Sequence, residues 1–276
     1  GNNRREGKEG MKGAMELSAL SPVRVAAWAV AAFLALPLLV MLPISLTPHR
    51  YLSLPTDQLS LRHYASLLED PRWLASLSDS LIVAVAAAVV AVMLGTSFAV
   101  GAWRIGGQTQ RYLRPLMLSP MIVPPIVHSV AFYKGWAEIG LLDTYIGLIL
   151  VHGMKGAPFV ILTVGAALAN LDVRTEQAAR SLGAGPFRAL FWVILPQVRP
   201  GIAAGATFAF FISWDEIIVA LFITMRAVYT LPRRIWDGLS DNIDPAIAAL
   251  GTLMILATIV LMLMNAGLAS RAKHKS

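Results

Sequence analysis

The chain has no cysteine among its 276 residues. That excludes disulfides, a thiolate nucleophile and any cysteine-based metal site. Charge is scarce as well: Asp, Glu, Lys and Arg make up 14% of the residues, where soluble chains average about 25%. No G-x-x-x-x-G-K-[ST] loop occurs, so the chain lacks that cradle for nucleotide phosphates. Histidines number only 5. His128 and His152 each stand alone in an apolar run, with no partner at i+4 and no H-E-x-x-H pair. Metal binding is therefore disfavoured, and pore-lining or packing roles suit both residues better. A membrane-embedded enzyme would need a nucleophile or a ligand cluster, and these absences remove the usual ones.

What the chain has instead is apolar sequence in long runs, with 57% hydrophobic residues. Segments 25–46, 80–103, 115–133 and 246–270 carry no Asp, Glu, Lys or Arg. Segment 144–171 carries only Lys155, and 200–225 carries only the adjacent pair Asp215 and Glu216. Each is long enough to cross about 30 Å of hydrocarbon as a helix. The runs are continuous, without the alternation of barrel strands, so helices are expected. The expected fold class is an all-α membrane protein of about six transmembrane helices. Pro37, Pro43, Pro120, Pro124, Pro125 and Pro158 predict kinks or broken turns. Segment 115–133 is the most interrupted for that reason. The reading is one transmembrane domain over 25–270, preceded by a basic tail at 1–24 that is expected to be disordered. A short tail follows at 271–276. The first apolar run is too long for a cleaved signal peptide, and no cleavage signal follows it.

The net charge of +7 has a position as well as a size. Basic residues in 1–24, 104–114, 174–199 and 271–275 outnumber those in the intervening loops by roughly two to one, which puts both termini in the cytoplasm. They are spread over separate loops with no aromatic-lined patch, so nucleic-acid binding is a poor reading. Two segments on the outer side have helical spacing. Leu61, Tyr64, Leu67 and Leu68 follow Ser60, a possible cap. Ile235, Leu239 and Ile243 recur every four residues. These read as helices lying in the interface, anchored by Tyr64, Trp73 and Trp236. A docking surface for an external partner is compatible with that.

Between the fourth and fifth runs lies "EQAARSLGAGPFRALFWVILP", residues 176–196. Residues 175–182 are good helix formers, and Gly183 suits the end of a helix. Pro186 suits the first turn of the next helix. Phe187, Leu190, Phe191 and Ile194 then share one face, and Pro196 is expected to end that helix. The turn Gly183, Ala184, Gly185 is nearly free of side-chain bulk, which would let another protein approach the backbone. The spacing alone leaves two readings open: a docking element, or a loop helix lying on its own bundle.

The segment resembles the cytoplasmic signature E-A-A-x3-G-x9-I-x-L-P of permease subunits of binding-protein-dependent ABC importers. Here Gln177, Ala178 and Ala179 are followed by Gly183, Val193, Leu195 and Pro196 at matching spacing. Gln177 replaces the signature Glu, and Val193 replaces Ile. Segments 61–84, 118–127, 213–224 and 230–250 are similar to that family as well, the last two to its spermidine/putrescine branch. The resemblance implies a type I importer permease fold, with ATPase coupling through Gln177, Ala178, Ala179, Leu182, Gly183, Ala184, Gly185 and Pro196 and a coupling helix ending near Gly183 seated on an ATPase. It implies two ATPase subunits holding ATP and Mg, a second and different permease subunit, and a soluble binding protein outside. It also implies a bacterial inner-membrane location and no catalysis or cofactor in this chain. The substrate would be a polyamine or related amine, moved by alternating access. A stand-alone secondary transporter or channel predicts an internal repeat, and it leaves the signature unexplained.

The pair Asp215 and Glu216 lies among apolar residues. Charged groups in a span usually face a cavity or a partner. Either they pair structurally, with Lys155, His152 or Arg226, or they line the translocation path. With Trp214 beside them they would suit an ammonium group, held by charge and by an aromatic face. Gly201, Gly205, Ala209 and Ser213 form a small-residue stripe in the same run. It favours close helix packing, inside the subunit or across a permease pair.

Overall fold

The computed structural model describes residues 22–56, 58–241 and 245–273. The tail expected at 1–24 falls outside the described residues as far as residue 21, and so does the end of the tail expected at 271–276. Ile243 of the outer helical pattern also lies outside them. The chain divides into two units, residues 1–67 with 242–276, and Leu68–Asp241.

The first unit contains α1 (Pro22–Ser45) and, as far as Leu67, α2 (Arg62–Glu69). A long apolar helix, α11 (Ala246–Lys273), completes it. Gly251 of α11 faces the tip of Met41 in α1. Ser45 Oγ lies 2.7 Å from the Tyr64 hydroxyl, which fastens α2 to the end of α1. Ser60 accepts the Arg62 N–H as the sequence suggests. The apolar side chains of α1 are almost all exposed. In water that surface would be a liability, and in hydrocarbon it costs nothing.

The second unit is built on three long helices. α3 (Pro71–Ile105) starts earlier than the apolar run at residue 80, because Asp70 caps it and Pro71 fills its first position. It is followed by α4 (Gly107–Leu118) and α5 (Pro125–Ile139). Between α4 and α5 the chain bends by 93°. Pro120, Pro124 and Pro125 sit at that bend, where each lacks a donor and crowds the preceding turn. The segment 115–133 is thus a broken crossing. α6 (Tyr145–Ala169) begins at Thr144, whose hydroxyl accepts the Gly147 N–H at 3.0 Å. α7 (Val173–Ser181) is the short loop helix. α8 (Pro186–Trp214) is a single long helix containing a π turn at Leu190–Ile194. α9 (Ile218–Ile223) and the amphipathic α10 (Leu231–Asp241) complete the unit.

Pro196 does not end a helix, contrary to the sequence expectation. The π turn precedes it, and Leu195 N–H bonds back to Leu190 O. The wider turn accommodates a proline ring that would otherwise strike the carbonyl four residues earlier. The helix also contains Pro200 and continues to Trp214.

Glycine sets the core spacing of α3, α6 and α8. A Cβ on Gly205 would lie 2.6 Å from Thr163 Oγ1 and 2.8 Å from Val160 Cα. One on Gly156 would lie 2.9 Å from the Ala209 Cβ, and one on Gly95 2.6 Å from the Val160 Cβ. The stripe Gly201, Gly205, Ala209, Ser213 is buried against α6. It therefore packs inside the subunit. Valine and alanine fill the rest of the core, with Val160, Val164, Leu168, Ile194 and Val198 at one end and Val83, Leu148, Val151, Val219 and Ile223 at the other.

Candidate functional site

The loop around residues 173–196 is anchored at both sides of a bare turn. α7 begins at Asp172, whose carboxylate accepts the Arg174 N–H at 2.9 Å. It ends with Leu182 as its cap. Gly183 has φ +88. Its N–H bonds to Arg180 O at 3.0 Å, and Ala184 N–H bonds to Ala179 O at 3.1 Å. This is the paired closure of a glycine-terminated helix, and the positive φ is why glycine is there. Gly185 then leads into Pro186 with φ −66, an ordinary backbone conformation.

The turn projects from the unit. A Cβ on either Gly183 or Gly185 would meet nothing within 4 Å. Leu182 is 90% exposed, Phe187 77% and Trp192 81%. Gln177 and Ala178 are also exposed, whereas Ala179 and Ala184 are half-buried. The proposed apolar face of Phe187, Leu190, Phe191 and Ile194 is split by the π turn. Ile194 is fully buried, Leu190 half so, and Phe187 and Phe191 point outward. Pro196 is half-buried within α8, away from the turn.

The anchor is Arg104, which the sequence reading passed over. Its Nη2 lies 2.7 Å from Glu176 Oε1, and its Nε donates to Glu176 Oε2 at 3.4 Å. Nη2 also donates to Pro186 O at 3.3 Å. Glu176 is buried. The carboxylate next to Gln177 therefore makes an ion pair within this chain. Only its place beside the signature, in the first turn of a short helix, marked it in the sequence.

The second group of residues lies where α8 stops. Segment 200–225 is not one helix: α8 ends at Trp214, Asp215 caps it, and α9 starts at Ile218. The break removes the continuous-helix placement of the pair, and each carboxylate has its own fate. Glu216 forms an ion pair with Lys155 of α6. Its other oxygen accepts the Val219 N–H at 3.1 Å, capping α9. His152 is bound to Ser213, with Nδ1 2.8 Å from Oγ, and Arg226 does not reach the pair. Asp215 is exposed, and among the described residues its carboxylate has no hydrogen-bond or ion-pair partner. Trp214 is half-buried and stacks on Phe210 at 5.7 Å. The arrangement neutralises one carboxylate and leaves the other open.

At the opposite end of α3 from Arg104, two acidic residues order a further loop. Asp143 accepts the N–H groups of Met225, Arg226, Ala227 and Val228 at 2.7–3.4 Å. Asp79 accepts the Tyr145 hydroxyl at 2.6 Å and the Tyr229 N–H at 3.0 Å. Neither residue stood out in the sequence, because a lone Asp near a span end is common.

Residues 91–274 match the family described as binding-protein-dependent transport system inner membrane component. The chain belongs to this family. It is 28% identical to the spermidine/putrescine transport system permease protein PotC of Escherichia coli (strain K12) over 247 residues, covering 90% of this chain and 93% of PotC. It is 30% identical to the putrescine transport system permease protein PotI of the same strain over 207 residues, covering 71% and 72%. Among solved structures it is similar in fold to a chain of a bacterial ABC transporter involved in the import of alginate. That match has a TM-score of 0.66 at 16% identity and covers 97% of both chains. This permease thus has the helical fold of type I ABC importers.

Proposed function

We propose that this permease forms, with a second and different permease subunit, the translocation path for a polyamine or related amine in a bacterial inner membrane. A soluble binding protein delivers the substrate from outside. Two ATPase subunits bind ATP and Mg on the cytoplasmic side, where both termini of the permease also lie. This chain binds no cofactor and holds no metal.

The observation that carries the substrate assignment is the open carboxylate of Asp215 at the broken end of α8, next in sequence to Trp214. An ammonium group is attracted by a carboxylate, and the face of an aromatic ring adds to that. Glu216 plays a different part, since Lys155 and the Val219 N–H already satisfy it. Breaking such an enclosed pair would leave an uncompensated charge, so Glu216 holds the break in shape while Asp215 meets the substrate. The similarity to spermidine and putrescine permeases points to the same substrate class.

The bare turn 183–185 is the part that contacts the ATPase. It offers exposed backbone, with Leu182, Phe187 and Trp192 as apolar neighbours. Gln177 is exposed and uncharged, so docking depends on shape around Gly183 and Gly185 more than on a carboxylate at 177.

Uptake of radiolabelled putrescine and spermidine by the full complex in proteoliposomes tests the substrate site. Asp215→Asn is expected to lower uptake at limiting substrate about tenfold, the size of one lost charge-assisted bond. Unchanged uptake kinetics would remove Asp215 from the path.

A further inference from the structure

The two ends of the loop that flank the bare turn are held by one side chain. Arg104 lies in the last turn of α3, where a cation is favoured by the helix dipole. Its guanidinium grips Glu176 on α7 through two nitrogens and the Pro186 carbonyl on α8 through one of them. Glu176 precedes the turn and Pro186 follows it. A single planar fork therefore joins the end of α3 to both sides of the bare turn.

A cleft of about 220 Å³ lies beside the contact, lined by Trp103, Arg104, Glu176, Gln177 and Arg180. The cleft leaves the Arg104 bonds as the polar link between α3 and α7. The sequence connection of α7 to α6 runs through Asn170, Leu171 and Asp172, outside either helix. At its other end α3 carries Asp79, which holds the Tyr145 hydroxyl and the Tyr229 N–H, and Ser80, which accepts the Leu231 N–H at 2.7 Å. α3 is continuous over 35 residues between these two sets of contacts.

We propose that Arg104 is a positioning residue that transmits displacement of the turn into α3. This rests on the reading of the turn as the ATPase contact. A push on Leu182–Gly185 moves α7, the Glu176 carboxylate moves with it, and the guanidinium carries the motion to the end of a long, stiff helix. Lysine would supply the charge without the fork, so geometry as well as charge is required.

The test compares ATP hydrolysis and substrate uptake in the reconstituted complex for R104A, R104K, the swap R104E/E176R, and G185W. Co-purification of the ATPase subunits reports assembly. R104A is expected to keep the ATPases bound and hydrolysing, with uptake per ATP reduced at least about tenfold, a typical coupling size. R104K falls between the two, and the swap recovers part of the lost coupling. Wild-type uptake per ATP in R104A overturns the proposal. If R104A loses its ATPases, R104K decides: wild-type coupling overturns the proposal, and reduced coupling with the complex intact supports it. Normal coupling in both G185W and R104A would defeat the underlying reading of the turn. Normal coupling in R104A with uncoupling in G185W would defeat only the role of Arg104.

Discussion

Asp143 shows how one side chain can hold a loop that has no regular structure. It adopts φ +56, a conformation that residues other than glycine rarely take. Its carboxylate gathers the consecutive N–H groups of Met225 to Val228. Burial pushes its pKa up, but the four backbone donors outweigh burial and hold it below the ordinary carboxylate value. A depressed carboxylate stabilises the fold above its unfolded pKa of about 3.9, and that contribution is lost as pH falls through the lower folded value. Asp143→Ala is expected to lower stability by about 1 kcal/mol at pH 7. Thermal unfolding in detergent at pH 7 and at pH 3 measures this. The difference between variant and parent should shrink at the lower pH, and a gap that stays constant would contradict the assignment.

At the scale of elements, glycine and proline explain most of what the chain does between its ends. Gly205 lets α8 approach α6 so closely that a methyl group has nowhere to go. Gly205→Val is expected to cost about 1–3 kcal/mol through overpacking, read as a lower melting temperature of the detergent-solubilised permease. A melting temperature equal to that of the parent would mean that the helices separate without penalty. Such packing was legible in the sequence as a four-residue stripe, though not its partner, since a stripe does not say which helix it meets. The apolar runs and the bend at Pro120, Pro124 and Pro125 were legible for a direct reason: bilayer length and missing donors act locally. Pro196 was misread because a π turn, set by the fold around Ile194 and Ala189, absorbs the ring. The end of α8 at Trp214 was hidden as well. The residues after it are apolar, and nothing local announces that Glu216 turns back to cap α9 and meet Lys155. The Arg104 to Glu176 bond joins residues 72 apart, a distance at which no local rule operates.

For the whole molecule, the permease places an open acidic group at a helix break, a close-packed trio of helices beside it, and a bare turn where a Cβ on Gly183 or Gly185 would meet no described residue within 4 Å. α3 bears contacts at both its ends, so the loop held by Asp79 and the loop held by Arg104 are joined through one helix. That layout suits the proposed role of a subunit driven by a separate ATPase.

The most direct measurement is uptake per ATP hydrolysed by the reconstituted complex carrying Gly185→Trp. Gly185 has an ordinary φ of −66, and a Cβ there would meet nothing within 4 Å. The permease itself has no reason to change. If an ATPase closes on this turn, hydrolysis should persist while uptake falls at least about tenfold. Uptake that remains coupled as in the parent would contradict the claim that movement enters the permease through this turn.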